Sequence, residues 1–321
     1  MHRLICLGLA ASVALSHATA SGAATYILPP LDQHLIGSMQ HVSARGDETL
    51  LDIARQHGVG YDEIKLANPD VDMWLPGEGT RVVVPTRYIL PDAPREGVVL
   101  NVPEMRLYYY PKPRPGERPV VKTFPVSIGR GDWETPLGMT TIVEKTPNPS
   151  WRPPESIKRE HAARGDPLPE VVPPGPDNPL GQFALRLGLP GYLIHGTNRP
   201  FGIGMRVTHG CVRMYPEDIN ALFDEIALQT PVHIVHQPFK IGWALGVPYF
   251  EAHPSFEEDQ TPHTAANLTP IIRTLIANGR ALETIDFQVA QQEARAPTGV
   301  PLPVARAHQS ASRVPPPSGS R

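Results

Sequence analysis

Proline is the residue that most limits what this chain can become. It occupies 39 of 321 positions. Its ring fixes φ and removes a backbone donor, so long helices and central ladder strands are disfavoured wherever it is dense. Ten of the prolines fall within residues 147–179. On either side the chain alternates β-branched and aromatic runs (VVLNVPEMRLYYY, VVKTFPVSIG, MTTIVEKT) with turn clusters such as RPGERP and GRGDWETPLG. That alternation predicts a mainly β, predominantly antiparallel domain over residues 97–236. The proline-dense stretch is expected to be an ordered loop over one face of the sheet, a cleft wall or lid. One helix is expected in this domain, from PEDINALFDEIA, where Ile219, Leu222, Phe223 and Ile226 share a face. PVHIVHQP is expected to close it as a strand.

Charge excludes some partners. With 29 basic and 32 acidic residues and a net charge of -3, no basic surface is available for a bulk electrostatic grip on nucleic acid or anionic lipid. Residues 1–20, MHRLICLGLAASVALSHATA, place Arg3 before an apolar run and end in Ala18-Thr19-Ala20, the three-part form of a cleaved secretory signal. The run from Leu4 to Ser16 is shorter than the ~20 residues of a spanning helix, so no stable membrane span is expected and the protein is expected to be exported. Cleavage removes Cys6, one of the two cysteines, and leaves Cys211 alone in a compartment that favours disulfides. Such a thiol is either buried and inert or kept for its reactivity.

Residues 40–86 read as a small unit. Leu50, Leu51, Ile53 and Ala54 have helical spacing, Asp47 or Thr49 can cap the start, and Gly58 supplies a stop. A second helix runs from about Tyr61 to Ala67 and ends at Asn68-Pro69. Val42 on one side and Arg81 to Val84 on the other are β-prone, giving a β-α-α-β order. HVSARGDETLLDIARQHG, IKLANPDV and LPGEGTRVVVP together resemble a LysM module. The resemblance implies binding to N-acetylglucosamine-containing glycan such as peptidoglycan. Residues 240–304 form a C-terminal extension with a helix-like stretch near NLTPIIRTLIANGRAL and no role legible in sequence. Residues 305–321 are polar and proline-rich, an expected disordered tail.

The chemistry is concentrated in YLIHGTNRPFGIGMRVTHGCVRMYPEDI, residues 192–219. A cysteine is a nucleophile only as thiolate, so Cys211 needs a base or a positive neighbour, and His195 and His209 are the candidates. An extended THGC places His209 and Cys211 on one side. A tight turn instead lets the N–H groups near Gly210 and Cys211 converge on one point, which suits an oxyanion hole. Zinc held by His195, His209 and Cys211 is the metal alternative. No HExxH or comparable spacing accompanies it, and no metal or other cofactor is expected.

His195-Gly196-Thr197 followed by Thr208-His209-Gly210-Cys211-Val212-Arg213-Met214 resembles the active-site signature of the L,D-transpeptidases. The similarity spans roughly residues 97–236, including PPGPDNPLG, HGTN and FGIG, and is nearest the periplasmic branch that anchors a lipoprotein. It implies a β-sandwich-like catalytic domain acting on peptidoglycan stem peptides. Cys211 would be the nucleophile, His195 the general base, and the amides around His209 to Cys211 the oxyanion donors. His209 would position the backbone, and Arg213, Thr208 and Gly196 would lie on the substrate side. The acyl acceptor would be an envelope lipoprotein lysine or another stem. Water as acceptor would make an L,D-carboxypeptidase or amidase. A wall-binding protein without catalysis is the reading from another class.

Overall fold

A computed structural model of the chain describes residues 24–254, 256 and 267–306. The expected signal segment and nearly all of the expected disordered tail lie outside those residues. In the first part of the chain come β1 (Ala24–Ile27), β2 (Leu35–Gly37), β3 (Gln40–Ser43), α1 (Leu50–Gln56), α2 (Tyr61–Ala67), β4 (Arg81–Val84) and β5 (Arg87–Ile89). The β-α-α-β order is present, with β3 and β4 antiparallel from Gln40↔Val84 to Ser43↔Arg81. Thr49 caps α1: its hydroxyl accepts from the Asp52 amide at 3.1 Å, and the Asp52 carboxylate accepts from the Thr49 amide at 3.0 Å. Leu50, Ile53, Ile64, Val82 and Val84 are buried between the helices and the ribbon.

This unit is docked on the next one through charged and backbone contacts. Arg106 is fully buried and forks onto Glu63, Nε to Oε1 at 2.8 Å and Nη2 to Oε2 at 2.7 Å. Arg55 forks in the same way onto Glu217, at 2.7 and 2.8 Å. The first amides of α2, which have no partner within the helix, donate outward: Tyr61 N to Ile203 O at 2.9 Å and Asp62 N to Gly204 O at 3.1 Å. Gly204 has φ +85°, and a Cβ there would lie 2.3 Å from the Tyr61 nitrogen, so glycine is required for the approach.

The second unit contains β6 (Gly97–Asn101), β7 (Arg106–Tyr110), β8 (Val120–Gly129), β9 (Gly138–Pro147), α3 (Glu155–Ala163), β10 (Phe183–Leu187), β11 (Leu193–His195), β12 (Arg206–Thr208), β13 (Val212–Met214), α4 (Pro216–Glu225) and β14 (Pro231–Val235). Pairing runs β8, β13, β11, β10, β9, β14, β6, β7 and returns to β8. The mainly β expectation holds, with a barrel-like closed circuit of strands in place of two open layers. Leu100, Leu107, Phe124, Ile142, Leu185, Ile194, Met214 and Ile234 fill its interior, each buried side chain contributing about 1.5–3 kcal/mol. The ten residues of β8 serve four neighbours in turn, and β1 and β12 hang on it as additional strands.

The predominantly antiparallel expectation holds, with three parallel exceptions: β14 with β6, β11 with β13, and β12 with β8. Between β13 and β14 the chain passes through α4, whose Ile219 and Leu222 lie against the core. One expectation needs correction: the proline-dense stretch is more than a loop, since it contains α3. No proline falls between Pro154 and Pro167, and the intervening ESIKREHAA is rich in helix formers, so the prolines bound a helix rather than forbid one.

The extension folds as β15 (Phe239–Ala244), β16 (Val247–Ala252) and β17 (Leu302–Pro303), an antiparallel sheet packed by α5 (Thr269–Ala277) and α6 (Phe287–Arg295). Lys240 Nζ ties it to the rest of the chain, lying 2.8 Å from Glu104, 2.7 Å from Glu251 and 2.7 Å from the Ile89 carbonyl, all buried. Glu104, Glu251 and His253 could hold a metal by their mutual spacing, but the Lys240 ammonium already serves as cation to both carboxylates. Among the described residues no helix is long and apolar enough to cross a membrane.

Candidate active site

The site grows from the parallel pair β11 and β13, in which Ile194 faces Val212 and His195 faces Arg213. Ile194 and Val212 point into the core. Side chains alternate along a strand, so His195, Arg213 and Cys211, the residue entering β13, share the opposite face. Neighbouring strands lie about 4.8 Å apart, which brings the thiol and the imidazole of residues 16 positions apart in sequence into one locality.

The turn before Cys211 is held tightly. Thr208 Oγ1 donates to the Cys211 carbonyl at 2.6 Å, Thr135 Oγ1 donates to the Gly210 carbonyl at 2.9 Å, and the Arg130 amide donates to the Thr208 carbonyl at 3.1 Å. Gly210 has φ +97°, and a Cβ would meet Tyr192 Cε1 at 2.7 Å and the Glu134 carbonyl at 3.2 Å. Only glycine fits there, and the turn aims carbonyls back at Thr135 and Thr208. Thr208 is buried and its hydroxyl is committed to this turn. Gly196 is buried beside His195 and its carbonyl lies 2.6 Å from His195 Nδ1.

A carbonyl only accepts, so His195 Nδ1 carries a proton and Nε2 is the basic nitrogen. Burial, then the charge of Arg213, push the His195 pKa down to about 3 despite the opposing Gly196 and Leu180 backbone contacts, so the imidazole is neutral at pH 7. Burial raises the Cys211 thiol, against the lowering pull of the Leu193 backbone and Arg213. The thiol points to the Gly191 carbonyl at 3.7 Å. At rest the pair is thus thiol and neutral imidazole. Arg213 is itself pushed down by burial, and its buried Nε has no partner among the described residues.

His209 points away from this pair. Its Nε2 lies 2.7 Å from Glu160 Oε2 on α3, and its ring meets Trp133 edge-on at 5.2 Å. Arg130 Nη2 also reaches Glu160 Oε2, at 2.7 Å. Hydrogen bonds from Arg130, then His209, hold the Glu160 carboxyl down at about 2. An ionised carboxylate only accepts, so His209 Nε2 donates to it. The 3.4 Å approach of Arg130 to the same nitrogen is then one donor beside another. Glu160, Arg130, Trp133 and Thr135 carry no motif that would single them out in sequence. The one available hint was the helix-forming composition of residues 155–163.

Residues 95–234 match the YkuD family model, described as the L,D-transpeptidase catalytic domain. The chain is 40% identical over 309 residues to the probable L,D-transpeptidase YcfS of Escherichia coli K12, covering 94% of this chain and 93% of that protein. It is 38% identical to the probable L,D-transpeptidase ErfK/SrfK of the same organism, covering 88% and 91%, and 40% identical to the probable L,D-transpeptidase YbiS, covering 85% and 89%. Among solved structures, L,D-transpeptidase 3 from Mycobacterium tuberculosis is similar at a TM-score of 0.32 and 16% identity, over 64% of this chain and 92% of that one, too distant to bear on residue roles. At 40% identity over nearly its whole length, and with the catalytic-domain match centred on the barrel, this chain belongs to the L,D-transpeptidase family.

Proposed function

We propose that this L,D-transpeptidase is an exported enzyme of the periplasm that works by thioester catalysis at Cys211. The observation that carries the reading is the β11–β13 register, which sets His195, Cys211 and Arg213 on one face beside the left-handed Gly210. Cys211 Sγ attacks the carbonyl joining the diamino acid of a tetrapeptide stem to its terminal D-Ala, and the thiol proton passes to His195 Nε2. The oxyanion is met by amides of residues 209–211. Collapse breaks the C–N bond, and the leaving D-Ala amine takes the proton back from the imidazolium. An amine acceptor then attacks the thioester, its proton passes to His195 and on to Cys211, and the thiol is restored. The acceptor is a lipoprotein lysine or the side-chain amine of another stem, the latter giving a 3-3 cross-link. A neutral resting pair suits this scheme, because the proton leaves sulfur only as the new bond forms. Arg213, with an uncommitted buried Nε, is suited to a carboxylate of the stem.

Residues 40–86 act in this reading as a LysM module that binds peptidoglycan glycan; the β-α-α-β order and the two short capped helices support it. The test is incubation of residues 21–321 with a disaccharide-tetrapeptide and candidate amines, followed by mass spectrometry of protein and products. Loss of D-Ala with an acyl adduct on Cys211 is expected. Unchanged turnover in Cys211→Ala would overturn the assignment, and free tripeptide as the sole product would make water the acceptor. For the module, Trp74→Ala with Leu75→Ala, two exposed side chains of the loop between α2 and β4, is expected to weaken co-sedimentation with insoluble peptidoglycan. Undiminished sedimentation would remove glycan binding from that loop.

A further inference from the structure

The helix inside the proline-dense stretch is poorly explained by packing. None of the α3 side chains is fully buried, and an isolated helix of nine residues is marginal in water. Several of its charged groups are spent within its own segment: Lys158 on Glu155 and Glu170, His161 on Asp166, and Arg164 on Glu160. Glu160 is different. Its Oε2 receives both Arg130 Nη2 and His209 Nε2 at 2.7 Å, and so reaches out of the segment to the barrel.

The recipient matters because His209 lies two residues before Cys211. The 208–211 turn is gripped on its barrel side by residues 129–135, through the Arg130 amide and the Thr135 hydroxyl, with Trp133 against the imidazole edge. On the other side the described contact is Glu160. A carboxylate there does two things: it fixes the His209 ring in the Nε2–H form, and it balances Arg130, which otherwise presses a second donor toward that nitrogen. Removing the carboxylate releases the tautomer, so that Nε2 can give up its proton and accept from Arg130, now 3.4 Å away. Closing that gap would turn the ring and shift the backbone that presents Gly210 and Cys211.

We infer that Glu160 is a positioning residue for acyl transfer, acting through His209 to hold the 208–211 turn, so that seating of α3 is part of assembling the active site. The inference rests on Cys211 being the nucleophile. It makes the proline-bounded excursion a working part of the site, with the prolines on both sides of α3 limiting where Glu160 can go.

The test compares Glu160→Ala, Glu160→Gln and His209→Asn, the pairing Glu160→Ala/His209→Asn, and Cys211→Ala, in the full exported chain. Steady-state kinetics on a disaccharide-tetrapeptide are read beside the imidazole N–H region of the proton NMR spectrum. Because misplacement of about 1 Å at a reacting group costs on the order of a hundredfold, Glu160→Ala is expected to lose about tenfold to a hundredfold in kcat with KM changed by less than about threefold. Glu160→Gln keeps an acceptor oxygen and is expected to recover most of that loss. The His209 Nε2 proton resonance should shift or vanish in Glu160→Ala. Adding Glu160→Ala to His209→Asn should cost little more than His209→Asn alone, because the two act as one unit. Wild-type kcat in Glu160→Ala, or full additivity with His209→Asn, overturns the positioning role. Failure of the nucleophile assignment is separate, since it appears as turnover in Cys211→Ala whatever Glu160 does.

Discussion

Replacing Glu63 with alanine would strand Arg106 in the interior between the β-α-α-β unit and the barrel. The guanidinium has no exposed surface and the Glu63 side chain is 10% exposed. Its remaining contacts would be Thr123 Oγ1 at 3.0 Å, the Gly58 carbonyl at 3.1 Å and the Tyr88 ring at 4.1 Å, none of them a counter-charge. Burial opposes the charge on Arg106, and Glu63 overcomes it, leaving the pKa well above the usual arginine value. Breaking a buried pair from one side costs about 3–5 kcal/mol. Glu63 also accepts from the Gly60 amide at 2.7 Å at the start of α2, a cap contact of the kind worth about 0.5–2 kcal/mol. Against a total of about 5–15 kcal/mol for a folded domain, such a loss is large. Urea denaturation followed by tryptophan fluorescence and circular dichroism should place Glu63→Ala about 3–5 kcal/mol below the parent. Glu63→Leu with Arg106→Met removes both charges together and should recover at least about 2 kcal/mol of that, since an apolar pair leaves nothing stranded. A cost under about 1 kcal/mol for Glu63→Ala, or a double variant no better than the sum of its singles, would refute the claim that this pair is desolvated and holds the two units together.

The resting thiol should alkylate slowly with iodoacetamide at pH 7 and faster as pH rises past 8.5, the ordinary thiol pKa, because burial favours the protonated form; pH-independent alkylation below pH 7 would mean a preformed thiolate. Asp218, at the start of α4, is pushed up to about 8 by burial and then by Glu217. The folded state therefore holds a proton that the unfolded chain gives up near pH 4, and stability from this group falls as pH rises from about 4 to about 8. Asp218→Asn should flatten that decline in thermal melts at pH 6 and pH 9, and an unchanged slope would count against it. Gly210→Ala should destabilise the fold by about 1–3 kcal/mol and lower kcat by on the order of a hundredfold; wild-type kcat would show that the left-handed turn is dispensable.

What could be read in the sequence was whatever depends on near neighbours. Helical spacing at Leu50, Leu51, Ile53 and Ala54, the stop at Gly58 and the period of residues 216–226 gave α1 and α4 to within a few residues. Cys211 and His195 stood out as candidates through the His195-Gly196-Thr197 and Thr208-His209-Gly210-Cys211 segments and the family signature these resemble, which is read along the chain. Partners supplied by distant chain were not legible. Glu160 meets His209 across 49 positions and Glu63 meets Arg106 across 43, and nothing in either neighbourhood announces the other. The three parallel pairings were not legible for the same reason, since partners such as β6 and β14 lie at opposite ends of the domain in sequence. Proline density misled in one respect: averaged over residues 147–179 it argues against helix, but the prolines gather at the ends and leave α3 a clear run.

The seating of the β-α-α-β unit changes what its attachment can accomplish. A module on a loose tether sweeps out a volume and raises the number of encounters. This one is clamped by two forked ion pairs and by the Gly60–Gly204 contact, with the first amides of α2 donating to carbonyls only a few residues before the 208–211 turn. Any surface it grips is presented to Cys211 at one distance and in one orientation. Choice among acyl donors along such a surface would then be set by spacing, as on a ruler, with the sites lying between the permitted marks out of reach.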